Sequence, residues 1–205
     1  MSPVPDKIAT PRPGYFKWQD VNGDGQIDSG DRTVTGNYIP DFYYGINNEI
    51  EYQNWNLSFL IQGVEGSEIL NLVKRHIGNN AGNFQQFAYA TDRWRSEADP
   101  GSGAHPIALR AGSQNNRQSD YQVDDASYIR LRNVTLAYNF PKSQLGNTID
   151  RLRLYLTGTN LLTITDYPGY NPEANNQEDN LLVQGEDYGT YPLQKKLTLG
   201  ININF

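Results

Sequence analysis

The final stretch of the chain, KKLTLGININF at 195–205, sets Leu197, Leu199, Ile201, Ile203 and Phe205 at every second position, with Thr198, Gly200, Asn202 and Asn204 between them. Side chains of a β-strand point alternately to opposite faces, so a strict period of two predicts a strand with one continuous apolar face. The pattern recurs in RLRLYLTGTN, where Leu152, Leu154 and Leu156 oppose Arg151, Arg153, Tyr155, Thr157 and Thr159. In DFYYGINNEIEY it sets Phe42, Tyr44, Ile46, Ile50 and Tyr52 against Tyr43, Gly45, Asn47, Glu49 and Glu51. NWNLSFLIQG alternates Trp55, Leu57, Phe59 and Ile61 with Asn56, Ser58 and Gln62, and Leu60 breaks the order. In SYIRLRNVTLAYNF the apolar set changes parity between Leu131 and Val134, which predicts a β-bulge there. Five strands are therefore expected, at about 42–52, 54–63, 127–140, 151–160 and 195–205, and the fold class is all-β and antiparallel.

One apolar face suits either a soluble sandwich or a membrane barrel. Two features favour the barrel. The polar faces carry mostly Asn, Ser, Thr, Gly and Tyr rather than the Lys, Glu and Asp of a water-facing sheet, as a lumen would. The connections also come in two sizes: short ones around Gln53 and across PKSQLGNTID, and long ones at about 64–126 and 161–194. Outer-membrane barrels alternate short periplasmic turns with long extracellular loops in this way. Aromatic residues gather at strand ends, among them Phe42, Tyr44, Tyr52, Trp55, Phe140 and Phe205, where an interfacial girdle would lie. No apolar run is long enough for a spanning helix, which leaves spanning strands open. Phe205, the last residue of an alternating strand, looks like a membrane assembly signal.

Composition narrows the classes further. A formal charge of −6 makes nucleic acid an unsuitable partner, because phosphate recognition needs a basic face. Cysteine is absent, which removes disulfide scaffolds, thiol nucleophiles and cysteine metal sites. Residues 1–13 are expected to be poorly structured, and MSPVPDKIAT lacks the apolar core of a secretory signal peptide, so an exported protein would begin upstream of this chain.

At 20–31 stands DVNGDGQIDSGD. Oxygen side chains fall at calcium-loop positions one, three, five, nine and twelve, namely Asp20, Asn22, Asp24, Asp28 and Asp31; Gln26 offers its backbone carbonyl at seven and Gly25 takes the sharp turn at six. Asp31 is one methylene shorter than the usual Glu. The flanks PRPGYFKWQ and RTVTGNYIP, with their Pro, Gly and β-branched residues, exclude the helices of an EF-hand. The loop is expected to hold one structural calcium ion within a β-protein; an Asp/Asn/Gly-rich turn that holds no ion is the alternative.

No catalytic constellation is found. His76 and His105 show no repeated ligand spacing, no nucleophile elbow, P-loop or metalloprotease motif occurs, and the carboxylates are scattered, so no enzyme is expected. In FQQFAYATDRWRS, Phe84, Phe87, Tyr89 and Trp94 stand with Arg93 and Arg95, a mixture suited to stacking on sugar rings, docking a partner, or packing the loop itself.

Four stretches, WQDVNGDGQIDSGDRTVTGNYIPDFYYGI, DASYIRLRNVTLAYNFP, LRLYLTGTNLLTITDYPGYNPE and DYGTYPLQKKLTLGININF, resemble in order and spacing the C-terminal part of SusC/RagA-type TonB-dependent outer-membrane transporters, over about residues 14–205. The resemblance implies a barrel of about 22 strands, an N-terminal plug, and a SusD-like surface lipoprotein closing over it. It further implies import of oligosaccharides or oligopeptides driven by TonB, in the outer membrane of a Gram-negative bacterium. Five strands cannot close a barrel when about eight is the smallest common number, so the chain is expected to be a piece of a larger wall, with plug and TonB box elsewhere. The other class is a secreted, calcium-stabilised β-domain that binds glycan or protein.

Overall fold

Strands with one apolar face must pair side by side, and five of them do. The computed structural model describes residues 12–83, 85–109, 114–175 and 184–205. Its elements are β1 (Phe42–Tyr52), β2 (Trp55–Glu65), β3 (Glu68–Asn71), helix α1 (Leu72–Ile77), β4 (Val123–Asp125), β5 (Tyr128–Asn139), β6 (Arg151–Thr165), β7 (Glu186–Asp187) and β8 (Lys196–Asn204). β1, β2, β5, β6 and β8 form one sheet in that order, each neighbour antiparallel to the next. Strands that follow one another in the main sheet are neighbours, the meander expected of an up-and-down wall.

Several bounds differ from the sequence expectation. β2 runs to Glu65 and β6 to Thr165, where ends near 63 and 160 were expected. β6 continues because Asn160 absorbs the irregularity in a left-handed conformation, φ 52°, after which Leu162 and Ile164 resume the apolar row. Asn tolerates that region better than most residues. The parity change in β5 is a bulge: Ile61 faces Leu131 and Leu60 faces Asn133, leaving Arg132 as the extra residue. The β1–β2 turn is tight because Gln53 adopts φ 53°, the positive φ that short hairpin turns require.

The long connection at 64–126 is itself folded. It contains β3, α1, 3-10 turns and β4, and β4, β3 and β7 form a second, three-stranded sheet. Two compact units result, interleaved along the chain. One, made of Tyr38–Glu68, Asp125–Ala174 and Thr190–Phe205, holds the five-stranded sheet; the other takes the stretch up to Asn37, Ile69–Asp124 and Asn175–Gly189. Of the stretch expected to be poorly structured, residues 1–11 lie outside the described residues, as do Phe84, 110–113 and 176–183 of the long connections.

The second unit is packed largely through amides. Asn71, Asn79, Asn80, Asn115 and Gln122 are buried there. Asn115 donates to the carbonyls of Asn79 and Ile107 at 3.1 and 2.9 Å, and Gln122 to that of Arg117 at 3.0 Å. Irregular backbone leaves carbonyls and N–H groups without a ladder partner, and buried side-chain amides supply the missing bonds. α1 is capped in the same way, Asn71 accepting from the Lys74 N–H at 3.1 Å, while the Lys74 ammonium pairs with Asp124 at 2.6 Å.

Candidate membrane face, polar face and calcium loop

Register lines the apolar residues up across the sheet. Ile50 faces Leu57, Leu57 faces Leu136, Leu136 faces Leu156, and Leu156 faces Leu199, a row running through all five strands. The next row, on the opposite face, is Glu51, Asn56, Ala137, Tyr155 and Gly200. Burial is inverted relative to a water-soluble sheet. Leu136, Leu156 and Leu199 are 42, 47 and 70% exposed, whereas Asn56 and Ala137 are 6 and 1% exposed. Ile46, Ile50, Ile129, Leu154, Leu162, Ile164, Ile201 and Ile203 are exposed as well. A contiguous apolar surface of this extent is not left facing water, since each side chain would forgo about 1.5–3 kcal/mol of burial.

Aromatic residues border this apolar band. Phe42 and Tyr44 lie at one end with ring centroids 6.1 Å apart. At the other, Tyr138 stands 4.9 Å from both Trp55 and Phe140. A strand as long as β1, tilted by about 45°, rises roughly 25 Å, the height of the lipid-facing band of an outer-membrane barrel. Phe205 follows directly on β8 and is 81% exposed. Leu60, the residue that broke the alternation, falls on the polar face opposite Asn47.

The polar face carries a buried charge that the alternation did not single out. Arg130, 1% exposed, pairs with the Glu173 carboxylate, donates to Thr163 Oγ1 at 2.9 Å, and stacks over the Tyr128 ring at 4.6 Å. The Tyr128 hydroxyl also donates to Glu173. Burial raises the Glu173 pKa, but the hydrogen bonds from Tyr128 and Arg130 outweigh it and hold the carboxyl below its ordinary value. An intramolecular strap of this kind ties the segment after β6 to the sheet. Beside it is an open cavity of about 450 Å³ lined by Tyr43, Leu60, Gln62, Val64, Tyr128 and Glu173. Glu173 lies beyond β6, with no periodicity to mark it.

In the 20–31 loop the aspartates close Asx turns. Asp20 accepts the N–H groups of Gly23 and Gly25 at 2.6 and 2.8 Å, and Asp24 accepts that of Gln26 at 2.8 Å. Asn22 accepts from the Asp24 N–H at 2.9 Å. Asp31 spans the loop, taking the N–H of Val21 on one oxygen and that of Asp28 on the other, both at 2.8 Å, while Asp28 accepts from Gly30 at 2.7 Å. The Asp28 N–H is the main reason that the Asp31 pKa lies below the ordinary value. Gly25 has φ 78°, a conformation open to glycine at no steric cost. Among the described residues no group of three or more acidic or histidine side chains is drawn together as an ion would require. The donor chemistry nevertheless suits a hard cation. Every candidate is an oxygen, and each carboxylate oxygen has two lone pairs, so one N–H bond does not exhaust it. The structure thus brings Asp20, Asn22, Asp24, Asp28 and Asp31 into one hydrogen-bonded loop without converging them on a point.

The two histidines are engaged in the second unit. His105 stacks on Tyr89 with centroids 4.4 Å apart, and its Nδ1 lies 3.1 Å from the Tyr121 hydroxyl; His76 Nε2 lies 2.8 Å from the hydroxyl of Tyr188.

Over 94% of its length the chain is 37% identical to TonB-dependent receptor P3 of Formosa agariphila, across 199 residues and 19% of that protein. It is also 28% identical, over 188 residues, to TonB-dependent receptor SusC of Bacteroides thetaiotaomicron, covering 91% of this chain and 17% of SusC. No protein-family model matches. The chain is SusC/RagA-like, matching over nearly its whole length a stretch of TonB-dependent receptors. Among solved structures, that of the RagAB peptide transporter superposes with a TM-score of 0.73 at 22% identity, over 88% of this chain and 19% of that one, which shows a shared fold. The antiparallel sheet is accordingly a SusC/RagA-like barrel segment. The chain spans about a fifth of the length of the relatives it matches.

Proposed function

We propose that this segment is part of the barrel wall of a TonB-dependent outer-membrane transporter, which imports oligosaccharides or oligopeptides with a SusD-like surface lipoprotein and draws energy from TonB through a part of the protein outside this segment. The observation that carries the reading is the exposed apolar face bordered by aromatic residues, with a buried arginine and asparagine on the opposite face. That distribution suits lipid on one side and a wet lumen on the other. The secreted β-domain would leave the row from Ile50 to Leu199 in water, so the transporter is the better reading.

The 20–31 loop fits a structural role. When bound, a calcium ion would supply a charge that draws Asp20, Asn22, Asp24, Asp28, Asp31 and the Gln26 carbonyl together. The side-chain oxygens of Asp20, Asp24 and Asp31 already fix the loop's turns by accepting backbone N–H groups of Gly23, Gln26 and Asp28, so bracing rather than sensing is the role proposed.

The test is fractionation of the complete protein that carries this segment. Recovery in the outer membrane with heat-modifiable gel mobility, co-purification of a surface lipoprotein, and loss of oligosaccharide or oligopeptide uptake when TonB is deleted are the expected results. Recovery in the soluble fraction in plain buffer would overturn the membrane reading.

A further inference from the structure

The chain carries a single Asn–Gly pair, Asn22–Gly23, and a single Asp–Gly pair, Asp24–Gly25, and both fall in the 20–31 loop. An asparagine before glycine is open to attack by its own backbone, because no side chain on the next residue blocks the approach of its nitrogen. Geometry decides whether it reacts.

The geometry here is a turn that holds the reacting atoms together. Asn22 Oδ1 accepts the Asp24 N–H at 2.9 Å, closing an Asx turn that folds the side-chain amide back along the backbone. Asn22 Cγ is thereby brought beside the Gly23 nitrogen, which lies between the two ends of the turn. The same Asp24 N–H is aimed at the oxygen on which negative charge develops during attack. Gly23 N–H is directed to Asp20 Oδ1 at 2.6 Å, so its proton has an acceptor in place. Asn22, Gly23 and Asp24 are exposed, and a Cβ built on Gly23 would meet nothing within 4 Å. Water reaches the site freely.

We propose that Asn22 is a self-modifying site that converts to aspartate and isoaspartate through a cyclic imide. The Gly23 nitrogen bonds to Asn22 Cγ as the Cγ–Nδ2 bond breaks, and the proton of the Gly23 N–H passes through Asp20 and water to the departing nitrogen, which leaves as ammonia. Water then opens the imide. Opening at one carbonyl gives aspartate on an ordinary backbone, and opening at the other gives a backbone one carbon longer. Either product adds one negative charge to the loop, at one of the proposed calcium ligands. The neighbouring turn repeats the arrangement with a different electrophile: Asp24 Oδ1 accepts the Gln26 N–H at 2.8 Å, and the Gly25 N–H reaches Asp20 Oδ2 at 2.8 Å. An ionised carboxylate repels the attack, so Asp24 lags behind Asn22.

The complete protein in detergent is aged at physiological temperature in mildly alkaline buffer and its peptides are followed by mass spectrometry, with isoaspartyl methyltransferase marking isoaspartate. The peptide holding Asn22 should gain the mass difference between NH2 and OH, about tenfold or more faster than the peptide of any other asparagine in this segment, as expected for a pre-oriented intramolecular reaction. Gly23→Ala should slow the conversion by about tenfold or more, through its side chain and the loss of the turn. Because Gly23 has φ 77°, where alanine is strained, a second variant leaves it untouched. Asp24→Asn places an amide in the neighbouring turn, and position 24 should then convert at a rate comparable to that of Asn22. Retention of the Asn22 amide in the folded protein, under conditions that convert it once urea has unfolded the chain, would overturn the proposal. Conversion of Gly23→Ala at the parent rate, or an Asp24→Asn variant that keeps its new amide, would overturn it too. The reaction and its test depend on neither the calcium reading nor the membrane reading.

Discussion

Tyr155 stands directly across from Gly200 on the neighbouring strand, with its ring so close over the glycine that a Cβ there would lie 2.2 Å from Cζ. Tyr44 covers Gly63 on the other face in the same way, at 2.1 Å. In each pair the glycine makes room for the cross-strand ring, which fixes register as aromatic cross-strand pairs do. Gly200→Val should therefore cost roughly 1–3 kcal/mol through overpacking. In a Tyr155→Ala background the same substitution should be neutral or stabilising by about 0.5–1 kcal/mol, because glycine is intrinsically weak within a strand. Urea unfolding of the complete protein in detergent provides the double-mutant cycle, and additive effects would show that the ring and the glycine do not interact.

The apolar and polar faces differ most sharply at adjacent residues of β8. Ile201 shares the exposed apolar face with Leu154, its partner on β6, while Asn202 faces Arg153 on the other side. Ile201→Lys should cost roughly 2–4 kcal/mol near the bilayer centre and reduce outer-membrane recovery, whereas Asn202→Lys should be tolerated. Equal recovery of the two variants would sink the assignment of the faces.

Removal of Phe205 should impair assembly while leaving expression intact, if the exposed ring after β8 acts as the proposed assembly signal. Pulse-labelled protein chased into the heat-modifiable form measures this directly. Assembly at the rate of the intact protein would leave Phe205 as the end of an apolar row and nothing more.

The sheet was legible because a period of two is a local signal that survives any tertiary arrangement. Even the bulge at Arg132 appeared as a parity change between Leu131 and Val134. The residues missed have no such period. Glu173 reaches Arg130 from 43 residues away, and only the fold brings them together. The stretch from Ile69 to Asp124 reads as a loop because its packing comes from Asn and Gln bonded to backbone carbonyls, with no apolar stripe to mark it. The calcium ligands were read from spacing, and spacing alone cannot say whether their oxygens turn towards a cation or towards the loop's own N–H groups.

The Glu173–Arg130 strap should be sensitive to acid. Because the folded pKa of Glu173 lies below its ordinary 4.5, its contribution is fully present above that value and is lost as pH falls through the lower folded value. Resistance of the 166–174 segment to proteolysis should be constant at neutral pH and decline only under acid conditions. Glu173→Gln should remove that decline and expose the segment at all pH values, since buried Arg130 then lacks its counter-charge; such a loss costs about 3–5 kcal/mol for a fully buried pair and less here, where Glu173 is 31% exposed. An unchanged acid profile in Glu173→Gln would assign the decline to another group.

Calcium should bind the 20–31 loop with one equivalent and modest affinity, because Asp31 replaces the longer Glu and its two oxygens already serve the N–H groups of Val21 and Asp28. Asp24→Asn is the informative variant. An asparagine carbonyl can still accept from the Gln26 N–H, as Asp24 does at 2.8 Å, so the turn is kept while one negative charge is lost. Calorimetric titration of the complete protein should give one site that weakens about tenfold in Asp24→Asn, with thermal stability in EDTA unchanged by the substitution. Calcium should also raise the melting temperature of the parent protein by mass action, and raise that of Asp24→Asn less at the same concentration. Absence of heat and of any thermal shift at millimolar calcium would show that the aspartates are turn formers alone.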